Sequence, residues 1–230
     1  MSRIINLYQP ENELLRDSFD AIIGKLMQKR RNNDIKSILF CGTEPAVGTT
    51  TITINLAISL AQGKNKIILI DSDMRKLPEH KRLGETPLFG LSDYLIDKST
   101  LTEIINETNI NNLSYITCGL STGQSAKLLS SSNLEKMITS LSKYYDFILF
   151  DSPSLGAVND AVVLSMLVDS IILVVELGKT MKSNISRSIQ NLSGSYNKIL
   201  GLLINKVDKP EYRAYLRNYD YFQNNKYNRK

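Results

Sequence analysis

Six short runs rich in Ile, Val and Leu punctuate this chain: Ser37–Phe40, Lys66–Ile70, Leu113–Thr117, Asp146–Phe150, Ser170–Glu176 and Lys198–Ile204. Each is close to continuously apolar. A strand with one wet face alternates apolar and polar residues, and a strand covered on both faces does not. Between the runs, apolar residues recur at helical spacing. Glu11–Lys29 places Leu15, Phe19, Ile22, Ile23 and Leu26 on one face; Thr50–Gln62, Asn133–Tyr144, Asp160–Val168 and Lys182–Ser193 are comparable. Strands and helices that take turns in this way predict an α/β fold, a single doubly wound and mostly parallel sheet flanked by helices.

The chain has 230 residues, enough for one large domain with a full core. We see no internal repeat and no linker, so residues 1–210 read as one unit. After Pro210 the apolar periodicity stops. Residues 211–230 are dominated by Tyr, Asn, Arg and Lys, and read as a flexible tail. Cys41 and Cys118 lack metal-type spacing and read as reduced thiols. No apolar run approaches the ~20 residues of a membrane span, and Met1–Leu14 has no apolar signal core. A cytoplasmic protein is expected. The net charge is +5, with part of the excess in the tail. That tail can meet an acidic lipid surface or a phosphorylated partner, or can simply be solvated; no nucleic-acid partner is expected.

Ligands of open α/β sheets bind at the C-terminal ends of strands. Four strand ends here carry suitable chemistry. After the first run comes Cys41-Gly42-Thr43-Glu44-Pro45-Ala46-Val47-Gly48-Thr49-Thr50-Thr51. It lies between a strand and a helix, as a phosphate loop must. Gly48 and Thr50 fit the strict pattern; Thr43 stands at the first glycine and Thr49 at the lysine. Pro45, Ala46, Val47, Gly48, Thr49, Thr50 and Thr51 are the candidate phosphate-binding residues, through backbone N–H groups and a helix N-terminus. Thr50 is placed to give its hydroxyl to Mg²⁺. A plain strand-to-helix turn with threonine caps satisfies the same string.

The second strand end is Ile70-Asp71-Ser72-Asp73-Met74-Arg75-Lys76. If the chain stays extended, Asp71 and Asp73 point the same way. They can share a hydrated Mg²⁺ or take a hydroxyl proton; a capping pair at a turn reads equally well. The third is Phe147-Ile148-Leu149-Phe150-Asp151-Ser152-Pro153, four apolar residues and then the acid of a Walker B strand. The fourth puts Asn205 where its amide can read adenine. The string Asn205-Lys206-Val207-Asp208 also imitates a guanine-reading motif.

These residues resemble one family, the bacterial tyrosine kinases of the CpsD/CapB type within the MinD/ParA-like P-loop ATPases. Ile70-Asp71-Ser72-Asp73-Met74-Arg75-Lys76 resembles its second-strand motif, and Asp151-Ser152-Pro153 its Walker B end. Gly90-Leu91-Ser92-Asp93-Tyr94-Leu95 and Cys118-Gly119 with Lys127-Leu128-Leu129-Ser130-Ser131 resemble two further segments. Tyr212, Tyr215, Tyr219, Tyr221 and Tyr227 resemble its C-terminal tyrosine cluster. The resemblance implies ATP and Mg²⁺, autophosphorylation of those tyrosines, and control of capsular or exopolysaccharide production and export. It also implies a transmembrane activator, a polysaccharide co-polymerase, at the inner membrane face. Catalytic roles then fall to Asp71, Asp73 and Asp151, and metal binding to Thr50, Asp71 and Asp151.

The chain departs from the family in two places. Thr49 replaces the lysine that meets the β- and γ-phosphates, with Glu44 nearby. A charged donor aimed at developing charge is worth about 10²–10³ in rate, so Arg75, Lys76 or a neighbouring subunit would have to supply it. The first helix carries Asp17, Asp20 and Ile23 where the family has an acid and then arginines that assemble a ring. A monomer, self-association and pairing with an intact kinase paralogue all stay open. So do three functions: an autokinase, a nucleotide-binding pseudokinase phosphorylated by another kinase, and a MinD/ParA-like positioning ATPase.

Overall fold

The computed structural model describes residues 4–7, 13–33, 35–75, 89–120 and 122–208. Its strands are β1 (Ile4–Ile5), β2 (Ser37–Gly42), β3 (Ile67–Asp71), β4 (Asn106–Thr108), β5 (Leu113–Ile116), β6 (Phe147–Asp151), β7 (Ser170–Glu176) and β8 (Ile199–Asn205). They form one sheet in the order β1-β4-β5-β3-β6-β2-β7-β8. Every neighbouring pair is parallel except β4 with β5. The expected doubly wound sheet is therefore present. The pairing of β4 with β5 was not anticipated, because a strand of three residues has no readable periodicity.

The helices are α1 (Glu13–Asn33), α2 (Thr49–Gln62), α3 (Leu91–Leu95), α4 (Leu101–Ile104), α5 (Ser125–Leu129), α6 (Ser132–Leu141), α7 (Asp160–Leu167) and α8 (Lys182–Asn191), with a 3-10 turn at Ser193–Lys198. Helix α1 runs past the expected end at Lys29. Arg30 and Arg31 lie in its last turn, where cations oppose the negative end of the helix dipole. Arg30 also reaches Asp146 at 2.7 Å and lies over the Phe147 ring, 4.9 Å from its centroid.

Alternate residues of the central strands feed two separate cores. Ile38, Phe40, Ile67, Leu69, Phe147 and Leu149 join the core that α1 and α2 cover, with Phe19, Leu26, Leu56 and Leu60. Leu39, Cys41, Ile68, Ile70, Ile148 and Phe150 join the core under α6 and α7, with Leu134, Met137, Leu141 and Leu164. Both faces of β2, β3 and β6 are therefore dry, which is why their sequences do not alternate. Each fully buried side chain of this size contributes about 1.5–3 kcal/mol from burial, before the entropy cost of ordering it.

The order of strands also locates the site. From β2 the chain passes to β3 on one side of the sheet, and later returns through β6 to β7 on the other. The C-terminal end of β2 is thus a point where winding reverses, and the ligand crevice of open α/β sheets lies at such a point.

Candidate nucleotide and metal site

Strand β2 runs two residues further than expected because Cys41 and Gly42 stay paired with Leu173 and Val174 of β7. The chain then turns through Thr43–Val47, and Gly48 caps α2 in the left-handed region at φ 92°. Ala46 is left-handed too, at φ 65°. Left- and right-handed residues in succession line backbone N–H groups into an anion-binding concavity. Helix α2 adds its positive end, with no acidic residue in the first turn. The lysine position is filled differently: a Cβ built on Gly42 would lie 2.8 Å from Thr49 Oγ1, so that hydroxyl folds back over the end of β2.

The loop is held from the β7–β8 side. Asn205 Nδ2 donates to the carbonyl of Val47 at 2.8 Å. Lys206 Nζ donates to the carbonyl of Ala46 at 2.8 Å and pairs with Glu176 at 2.9 Å. Glu44 accepts a hydrogen bond from Asn184 of α8. Glu44 is therefore turned to α8 and has a partner there. Asn205, expected to read adenine, spends an amide N–H on the loop; its oxygen is the atom left for a base.

The carboxylates come from neighbouring strands. Asp71 at the end of β3 is the register partner of Asp151 at the end of β6. Both are buried, as is Asp73. Ser72 donates its hydroxyl to the carbonyl of Asp151 at 2.7 Å, and Ser152 donates to that of Phe40 at 3.0 Å. Each Asp-Ser pair thus ties one strand end to the next and fixes the acids side by side. Sequence reasoning missed these serines, although the repeated Asp-Ser was visible. Tyr115 of β5 is buried on the same face. Burial first, then the charges of Asp71 and Asp151, push its phenol well above its ordinary pKa, so it stays neutral.

One expectation needs correction. The chain does not stay extended from Asp71 to Asp73. β3 ends at Asp71, and the backbone N–H of Asp73 folds back to Asp71 Oδ1 at 3.0 Å. The two carboxylates are joined through a turn, so they do not project as a strand-side pair. Arg75 then directs its guanidinium to Asp160, with Nε and one terminal nitrogen each 2.9 Å from a carboxylate oxygen. Its charge is engaged by that acid, which Ser125 also meets at 2.7 Å. This cluster was missed because Asp160 lies 85 residues further along the chain.

The motifs at Gly90 and Cys118-Gly119 are two sides of one packing contact. The N–H groups of Leu91 and Ser92 donate to the carbonyls of Thr117 and Cys118. A side chain on Gly90 would collide with the backbone of Gly119. Lys76 and all five tail tyrosines lie outside the described residues.

Among the described residues no group of three or more His, Cys, Asp or Glu could hold a metal by itself. Mg²⁺ keeps several waters and binds through one or two carboxylates plus phosphate oxygens, so its site needs no such group. Asp71 and Asp151, side by side at two strand ends, and Thr50 in the first turn of α2 have the donor chemistry for such an ion, and the positive-φ turn at Ala46 and Gly48 has a backbone form that anions occupy.

A family model described as an AAA domain matches residues 35–202. The tyrosine-protein kinase CpsD of Streptococcus pneumoniae serotype 4 is 34% identical over 178 residues, 76% of this chain and 77% of that one. The CapB protein of Staphylococcus aureus is 32% identical over 191 residues, 83% and 84% of the two chains. This chain belongs to the CapB/CpsD family of bacterial tyrosine-protein kinases.

Solved kinase domains agree. The kinase domain of the Escherichia coli tyrosine kinase ETK superposes with a TM-score of 0.79 at 25% identity, covering 88% of this chain and 84% of that one. The septum site-determining protein MinD of Pyrococcus horikoshii, complexed with Mg-ADP, shares the fold. Its TM-score is 0.61 at 22% identity, over 80% of this chain and 77% of that one. No described helix is long and apolar enough to cross a membrane.

Proposed function

We propose that this chain binds Mg-ATP and phosphorylates tyrosines of its own C-terminal tail, and thereby regulates capsular or exopolysaccharide production. The observation that carries the reading is the pairing of Asp71 with Asp151 beside a left-handed phosphate turn, in a chain of the CapB/CpsD family. When bound, Mg-ATP supplies the phosphoryl group and neutralises charge on its own oxygens. Backbone N–H groups of Val47–Thr50 hold phosphate. Asp151 and Thr50 hold the hydrated metal. Asp71 and Asp73 would serve the metal and the tyrosine hydroxyl, one of the two taking the single proton that the hydroxyl gives up as ADP leaves. The proposal extends to a transmembrane activator that brings the chain to the inner face of the membrane, as the family resemblance implies.

A second reading has its own support. Thr49 cannot supply the charged donor of a lysine, and Arg75 is engaged by Asp160. The chain would then be a nucleotide-binding regulatory partner whose tail an intact kinase phosphorylates.

One experiment separates the two. Purified wild type, Asp71→Ala and Thr49→Lys are assayed for Mg-ATP binding by calorimetry and for tail phosphotyrosine by mass spectrometry. Phosphotyrosine in wild type that disappears in Asp71→Ala sinks the regulatory reading. Tight binding with phosphotyrosine only in Thr49→Lys sinks the autokinase. Absence of binding in every variant sinks both.

A further inference from the structure

Five non-glycine residues among those described have positive φ, and two of them are hydrogen-bonded to each other: Ala46 at 65° and Lys206 at 59°. L-residues avoid this region, so each is held there by its surroundings. Ala46 is the turning point of the phosphate loop. Lys206 is the first residue after β8, and its left-handed backbone starts the side chain back toward the loop. Its ammonium sits between the carbonyl of Ala46 and the carboxylate of Glu176 at the end of β7. The preceding residue, Asn205, holds the next carbonyl of the loop, that of Val47. Two successive side chains, the last of β8 and the first after it, thus grip two successive carbonyls of the loop.

The grip has a directional consequence. Across a trans peptide the carbonyl and the following N–H point opposite ways. Drawing the carbonyls of Ala46 and Val47 toward β8 turns the N–H groups of Val47 and Gly48 away from it, toward the crevice. In a loop with a lysine, the ammonium and the bound phosphate help set these peptide planes. Here Thr49 lies over Gly42 and cannot do so. We infer that Lys206 is a positioning residue that, with Glu176 and Asn205, holds the lysine-less loop in its phosphate-accepting form. Lys206 acts through the loop backbone and need not touch phosphate. The inference rests on the nucleotide reading above.

The test uses the full chain with Mg-ADP as the probe. Lys206→Met keeps the stem and removes the charge; Lys206→Arg keeps the charge. Loss of a charge-assisted hydrogen bond that orients the loop predicts about tenfold weaker Mg-ADP binding in Lys206→Met. Lys206→Arg stays within about threefold of wild type, because guanidinium also donates to a carbonyl. The Tm of the ligand-free variant moves by no more than about 2 °C, since a half-exposed pair adds little to global stability. Amide exchange, measured without nucleotide, accelerates at Val47 and Gly48 in Lys206→Met and not in the core strands. In a Thr49→Lys background the loss of affinity shrinks to about threefold or less, because the restored lysine orders the loop itself.

Unchanged affinity and unchanged exchange in Lys206→Met overturn the inference and leave the nucleotide reading standing. An equal loss in both backgrounds overturns the link to the missing lysine. A wild type that binds no Mg-ADP overturns the nucleotide reading and the inference with it.

Discussion

Arg75 lays its guanidinium along the carboxylate of Asp160, a residue with no exposed side-chain surface at the start of α7. Both oxygens are engaged, each at 2.9 Å, and Ser125 adds a third donor. The pair fastens the turn that carries Asp71 and Asp73 to the start of α7. Loss of either partner therefore reaches the acids without touching them.

Arg75→Ala leaves Asp160 buried with the Ser125 hydroxyl still donating to it. Stranding one member of a buried pair costs on the order of 3–5 kcal/mol, and partial exposure of Arg75 places this case near the lower end. Urea denaturation measures it. Adding Asp160→Ala to Arg75→Ala should cost less than the sum of the single changes by about 1–3 kcal/mol, because the two side chains interact directly. Additive losses would show that the pair does not act as a unit.

Gly48→Ala asks a side chain to occupy φ 92° and to share space with the Asn205 amide. The backbone cost is about 1–2 kcal/mol, modest against the whole fold. The functional cost should be larger. Displacing Asn205 releases the Val47 carbonyl, and Mg-ADP binding should fall by about tenfold or more while the fold survives. Calorimetry beside a denaturation curve separates the two effects. Unchanged affinity would mean that the loop is not the phosphate site.

Asp146 links three elements. It accepts from the Lys66 backbone N–H at 2.9 Å and from Arg30 at 2.7 Å. The Lys66 bond first, then Arg30, holds its pKa below the ordinary carboxylate value. A folded pKa below the unfolded one contributes stability above the unfolded value, near about 4, and loses it as pH falls through the folded value. Asp146→Asn should be less stable than wild type at neutral pH, and the gap should close below about pH 4. Urea midpoints at several pH values follow it. A gap that stays constant into acid would contradict the assignment.

Burial pushes the Cys41 thiol up to about 12, and Cys118 is buried as well. The thiolate is the reactive form, so neither cysteine should react appreciably with a thiol reagent in native protein at pH 8. Both should react on unfolding in guanidinium. Fast labelling of the native chain would place one of them at an accessible site.

The legible parts of this molecule were those with a periodic or local cause. β2, β3 and β6 declared themselves because apolar side chains on both of their faces must be covered. Asp71, Asp151 and the Thr43–Thr51 loop were legible as strand ends because each follows directly on an apolar run. β1 and β4 were not, since two and three residues carry no period. The relation of Asp73 to Asp71 was misjudged for a local reason: an Asp side chain can capture the N–H two residues on and end the strand, and spacing does not say when it does.

By itself, the sequence determined the class of fold, the strand ends that bear chemistry, the kinase family and the absence of a lysine at Thr49. These are properties of neighbours in the chain. Only the tertiary structure decided what stands in for that lysine's surroundings. Asn205 and Lys206 come to Val47 and Ala46 from about 160 residues away, and Arg75 finds Asp160 from 85 residues away. Such contacts depend on which strand lies beside β2, and that order follows from packing two faces of one sheet at once.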